Sequence, residues 1–197
     1  MMRARVMIPL GIALVAVLAV GGWMLFLRPQ ARPSTFKGEP TSALYSLIDS
    51  RQRDAAPLTV DEVFTPATAT LGGLRRVSAE QLDCDDALWG ASAAGCTQAL
   101  RATYTGDLGA GQFVIFNLTD GRAADALVKA LSEDGFVRQA VPFDAVRSRA
   151  QARALGHYVT VAWVGPVRPG ETGDLVSQLV ALDGLGHIIQ KRVVDAT

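Results

Sequence analysis

Gln112–Thr119 reads QFVIFNLT, and together with His157–Val164 (HYVTVAWV) it decides the fold. Both runs are short, rich in aromatic and β-branched side chains, and bounded by turn-forming residues, a pattern of strands rather than helices. In the first run Phe113 and Ile115 fall on one face and Val114 and Phe116 on the other. A strand that is apolar on both faces belongs in the middle of a sheet covered on both sides.

Working outward, Leu100–Thr105 alternates and leads through a turn at Gly106–Gly111 into that strand. Asp120 then caps a helix whose apolar stripe runs through Ala124, Leu127, Val128 and Leu131, ended by Gly135. Phe136–Val141 is the next strand, stopped by Pro142, and Asp144–Arg153 is a charged connection. After His157–Val164 comes a loop over Pro166–Thr172, then an amphipathic helix over Asp174–Leu185 through Leu175, Leu179 and Leu182. His187–Val194 is a last strand or helical turn. Strand, turn, strand, helix thus occurs twice, over 100–131 and 136–185. Two ββα units predict an α+β fold, a two-layer sandwich with a mainly antiparallel sheet of four strands and both helices on one face.

Upstream, Thr59 with Glu62 three residues later forms a capping box for a short turn ending at Phe64. Pro66–Val77 is an irregular strand or hairpin around Gly72-Gly73, and Ser78–Gln81 caps a helix leading to the cysteines. Arg28–Pro40 (RPQARPSTFKGEP) opens a Pro-rich linker that runs to residue 56 and carries a short helix over 42–53. The α+β domain then spans 57–197.

At the other end Val6–Leu27 runs for 22 residues without a charged or strongly polar side chain. At ~1.5 Å per residue a helix there is about 33 Å long, against a hydrocarbon core of roughly 30 Å. The expectation is a transmembrane helix over 6–27 behind a short cytosolic tail, residues 1–5. A buried helix of a soluble domain is one alternative, though such helices show a polar face and this run has none. A cleaved signal peptide is the other, with Arg3 and Arg5 as its basic region and Ala19 and Gly21 as its small pair. Against it, the apolar run continues through Trp23–Leu27.

The flanking cations balance, Arg3, Arg5 and the amino terminus against Arg28, Arg32 and Lys37, so orientation rests on the two cysteines. A disulfide between Cys84 and Cys96 closes a 13-residue loop, worth about 3 kcal/mol on the chain-entropy estimate and formed outside the cytosol. Two buried free thiols are the alternative reading. With the disulfide, the N-terminus is cytosolic and the domain extracytoplasmic.

Net charge is zero, which excludes an electrostatic footprint for nucleic acid. Arginine outnumbers lysine 16 to 3 and Asn117 is the single asparagine, a bias of GC-rich coding. No HExxH, GxSxG or phosphate-binding glycine loop occurs, and Asp83, Asp85 and Asp86 around Cys84 lack the spacing of a calcium loop. No catalytic, cofactor-binding or metal-binding residue is assigned, and the two histidines, His157 and His187, read as ordinary polar positions at element ends. Arg147, Arg149 and Arg153 come nearest to a site, as a contact for an anionic headgroup, a cell-wall polymer or an acidic partner.

The run PLTVDEVF (57–64), the Cys84–Cys96 spacing and GHYVTVAWVGPV (156–167) together resemble uncharacterised single-pass membrane proteins of high-GC Gram-positive bacteria. The resemblance implies a membrane-anchored extracytoplasmic domain and carries no activity or functional residues with it. The expected function is a membrane-tethered, non-enzymatic accessory or binding domain. Its partners are the lipid bilayer, through residues 6–27, and an envelope protein or cell-wall component. Two alternatives stand beside it: an envelope enzyme centred on His157 or His187 with a carboxylate brought near by folding, and a ligand sensor acting through a separate signalling partner.

Overall fold

The computed structural model describes residues 31–168, 170 and 173–195. The expected transmembrane helix over 6–27 and the tail 1–5 lie outside the described residues. Among the described residues no helix is long and apolar enough to cross a membrane.

The strands are β1 (Thr35–Glu39), β2 (Thr70–Leu71), β3 (Leu74–Leu82), β4 (Leu88–Trp89), β5 (Gln98–Thr105), β6 (Gly109–Asn117), β7 (Phe136–Val137), β8 (Arg149–Leu155) and β9 (Tyr158–Pro166). The helices are α1 (Val60–Val63), α2 (Cys84–Ala87), α3 (Gly121–Glu133), α4 (Leu175–Asp183) and α5 (His187–Asp195). Seven strands form one mixed sheet in the order β1-β8-β9-β6-β5-β3-β2, and β4 pairs with β7 in a separate ribbon. Only β1 and β8 run parallel; every other neighbouring pair in the sheet is antiparallel.

This corrects the expected two-layer sandwich of two ββα units. Every residue of β6 and β9 is buried. Val114, Phe116, Val161 and Trp163 pack on one face, and Phe113, Ile115, Ala162 and Val164 on the other. A single layer of helices leaves one such face in water, so the helices divide. α3 covers the first face with Ala124, Leu127, Val128 and Leu131; α4, α5 and the turn between them cover the second with Leu182, Leu185 and Ile189.

The second ββα unit exists but begins with a different strand. In β8, Ala150, Ala152 and Ala154 are buried while Arg149 is exposed and Gln151 and Arg153 half-buried. The arginines make an amphipathic edge-side strand look like a charged connection. Phe136–Val137 instead joins Leu88–Trp89 in the ribbon on the α3 face. Ser78–Gln81 lies within β3, paired with β5, so the helix expected there is absent and α2 starts only at Cys84.

The stretch read as linker contributes an edge strand, and the compact unit begins at Ala31. Phe36 of β1 meets the ring of Phe136 edge-on at 5.2 Å, and Arg32 donates to the carbonyls of Leu131 and Ser132 at the end of α3 (3.0 and 3.1 Å). Those carbonyls have no intrahelical donor, so a cation there is favourable. A 3-10 helix over Ser42–Ile48 and the capping box at Thr59 follow, the latter with Glu62 N donating to Thr59 Oγ1 at 3.1 Å and Thr59 N to Glu62 Oε2 at 3.3 Å. The disulfide joins Cys84 to Cys96.

Helix α4 reaches β2, β6, β8 and β9, so the sheet curls around it. The approach is close enough to demand glycine beneath it. A Cβ at Gly111 would stand 2.7 Å from Val164 Cγ1 and 2.9 Å from Leu182 Cδ1.

Candidate functional site

α4 ends at Asp183, a 3-10 turn over Gly184–Gly186 bends the chain, and α5 begins at His187. Leu185 and Ile189 are buried and hold this elbow on the sheet. Asp183, His187 and Gln190, at helical spacing, therefore share one side of it. They border a cleft of about 210 Å³ completed by Arg153 of β8, Thr160 of β9 and Tyr45.

The charges of the cleft are paired. Arg153 grips Asp183 with two donors, Nε to Oδ1 at 3.1 Å and Nη2 to Oδ2 at 3.0 Å, while Nη1 lies 3.0 Å from Glu39 Oε2. Lys37 Nζ lies 2.6 Å from the other oxygen of Glu39. Register explains the meeting, because Glu39 of β1 stands beside Arg153, which stands opposite Thr160. The Lys37 hydrogen bond, with help from Arg153, holds the Glu39 carboxyl below its usual range. Burial pushes the Asp183 carboxyl up against the opposing pull of Arg153.

Thr160 is 1 % exposed, and its hydroxyl has no hydrogen-bond partner among the described residues. His187 Nδ1 lies 2.6 Å from the Gly184 carbonyl oxygen, which only accepts, so Nδ1 carries the proton. On the other side of the elbow a cavity of about 430 Å³ is walled mainly by Val63, Leu71, Leu185 and Ile188, with Glu62 and Lys191 also lining it. His187 borders both.

A second polar cluster ties α5 to the layer before β2. Arg192 Nη1 pairs with Asp54 Oδ1 at 2.7 Å and donates to the Ala56 carbonyl at 2.6 Å; its Nη2 reaches Glu62 at 3.3 Å. Tyr158 donates its hydroxyl to Asp54 Oδ2 at 2.8 Å, and burial pushes its phenol far up, so it remains the donor. His157 precedes β9, fully buried, with Nδ1 donating to the Ile48 carbonyl at 2.8 Å. Burial lowers its pKa and keeps the ring neutral at pH 7.

The three arginines singled out in the sequence do not share one cleft. Arg153 lines the elbow cleft. Arg147 is bound to Asp144 at 2.7 Å and lines a separate cavity of about 280 Å³ with Phe143 and Arg168. Arg149 is exposed at the start of β8. Tyr45, Thr160, Asp183 and Gln190 were not singled out. Thr160 left a trace, being the one hydroxyl inside the apolar run Tyr158–Val164 apart from the tyrosine that opens it. Asp183 left none, since an acid at a helix end is ordinary.

Among the described residues no group of three His, Cys, Asp or Glu is placed to hold a metal ion. No protein-family model, curated protein or solved structure matches the chain.

Proposed function

We propose that this chain is a membrane-tethered extracytoplasmic binding domain that captures an envelope component in the cleft beside the Gly184–Gly186 elbow. The cleft carries the reading. Its polar groups come from β8, β9, α4 and α5; Arg153 and Asp183 are fixed by ion pairs, Thr160 by packing and His187 by its bond to the Gly184 carbonyl, which is the preorganisation a binding site needs. Catalysis by a His–carboxylate pair asks for a different arrangement, in which the carboxylate orients the imidazole. Here Asp183 is held by Arg153 and the His187 Nδ1 proton by the Gly184 carbonyl. The apolar run 6–27 supplies the tether to the bilayer, and the Cys84–Cys96 disulfide supports an oxidising compartment. An N-terminus in the cytosol and the domain outside follow from the same pair, and the resemblance to single-pass proteins of high-GC Gram-positive bacteria agrees.

The test is thiol labelling in intact cells with a membrane-impermeant maleimide. Labelling of Cys84 and Cys96 only after an external reductant is expected. Labelling only after lysis, without reductant, would put the domain in the cytosol and end the reading.

A further inference from the structure

We propose that the elbow cleft is a saccharide subsite that takes one neutral, polyhydroxylated ring of an envelope glycan. The proposal rests on reading the domain as an envelope-binding module and names the chemistry of its ligand. Size sets the first limit. A space of about 210 Å³ suits a single sugar ring and is smaller than the roughly 300–1,000 Å³ of most drug-sized ligand pockets.

Charge decides among ligands of that size. An anion needs a cation with free donors, but the Arg153 guanidinium is already bidentate on Asp183 and bound through Nη1 to Glu39. With Gln151 turned to place its amide oxygen inward, Arg153 Nη2 meets that oxygen as well, at 2.7 Å. A cationic ligand meets the reverse obstacle, since Glu39 also holds Lys37 and both carboxylates are neutralised. A neutral ligand displaces none of these pairs. Its hydroxyls find carboxylate lone pairs left over beyond the arginine bonds, and an amide at Gln190 that both donates and accepts.

Thr160 is the second, independent observation. A buried hydroxyl without a partner is uncommon, because leaving it so is unfavourable. This one belongs to a residue that lines the cleft beneath Gly186, and a ligand hydroxyl that reaches past Gly186 finds there a group able both to donate and to accept. Tyr45 adds a half-buried aromatic ring at the same cleft, a surface for the apolar face of a sugar.

The experiment uses the full chain, isotope-labelled and held in a detergent without a sugar headgroup. Glucose, mannose, galactose and N-acetylglucosamine are titrated in turn, with inorganic phosphate as the anionic probe, while the amide signals of Gly184 and Gly186 are followed. Saturable shifts with at least one sugar and none with phosphate are expected. Thr160→Val and Gln190→Ala should each weaken that sugar roughly fivefold, the worth of one hydrogen bond. Val146→Ser, exposed on the 3-10 turn over Ala145–Arg147, should bind as the parent does. Gln190 is exposed, so its variant keeps the test alive should Thr160→Val fail to fold. Silence with every sugar, a response to phosphate, or unchanged affinity in both cleft variants overturns the saccharide assignment. Capture of the same proteins on washed envelope fragments separates the two ideas. Capture that depends on Gln190 without any sugar response sinks the saccharide and leaves the binding domain standing. Capture that ignores the cleft variants sinks both.

Discussion

Replacing Arg192 by methionine tests how α5 is held to the rest of the domain. Arg192 and Asp54 are each 12 % exposed at the side chain, so the pair is largely withdrawn from water. Methionine keeps much of the apolar stem of arginine but removes the guanidinium. Asp54 is then left buried with the Tyr158 hydroxyl as its remaining side-chain donor, and Glu62 and the Ala56 carbonyl lose a donor too. Breaking one half of a buried pair costs about 3–5 kcal/mol. Because Glu62 is 33 % exposed and regains water, the lower end applies, about 3 kcal/mol. Removing both charges in Arg192→Met/Asp54→Asn takes away the stranded carboxylate. The double variant should therefore be less destabilised than the two single losses summed, by at least about 1 kcal/mol. Urea unfolding of the full chain at pH 7, read by tryptophan fluorescence, measures all four proteins. Strict additivity, or a loss below about 1 kcal/mol for Arg192→Met, would refute the claim that this pair is buried and coupled.

Reduction of the Cys84–Cys96 bond frees a loop with a sequence separation of 12. It should lower stability by about 3 kcal/mol, a fall of roughly 6–12 °C in Tm in a calorimetric scan with and without reductant. His157 is neutral and buried with its pKa lowered, so the unfolded chain binds its proton first. Stability should be flat above pH 6.5 and fall as pH drops below it, and His157→Gln should flatten that slope in a pH series of unfolding curves. Gly111→Val places methyl groups where Leu182 and Val164 already lie. A loss of about 2–4 kcal/mol, with α4 losing amide-exchange protection before the sheet does, is the expected result.

The central strands were legible because their signal is local. Phe113 to Phe116 and Val159 to Val164 carry their burial in their own composition, and the turn glycines between Leu71 and Leu74 mark a hairpin with positive φ at Gly72 and Gly73. What the sequence concealed was pairing at long range. Until its last residue, Leu155, β8 buries only alanines, too small to make a hydrophobic pattern against three charged or amide neighbours. β1 exposes Thr35 and Lys37, with Phe36 as its one large apolar side chain, and lies among prolines and a glycine that announce a linker. The same blindness affected the cleft. Arg153 drew notice as a charge, yet its two carboxylates come from Glu39 and Asp183, at opposite ends of the domain sequence. Only the parallel register of β1 on β8 and the descent of α4 bring the three together. Neither is written in a local pattern.

The parallel pairing at that edge also imposes an order in time. Ser34 bonds to the Ser148 carbonyl across 114 residues, just where β1 meets β8. A ribosome adding ~5–20 residues per second needs about 6–23 s to make that stretch. Through that interval the earliest-made strand has no partner, and the hairpin of β5 and β6 is complete long before its neighbour β9 exists. Folding from the N-terminus inward is therefore closed to this chain. Its sheet grows outward from the middle, and nascent β1 must be kept from other extended chains until Leu155 has emerged.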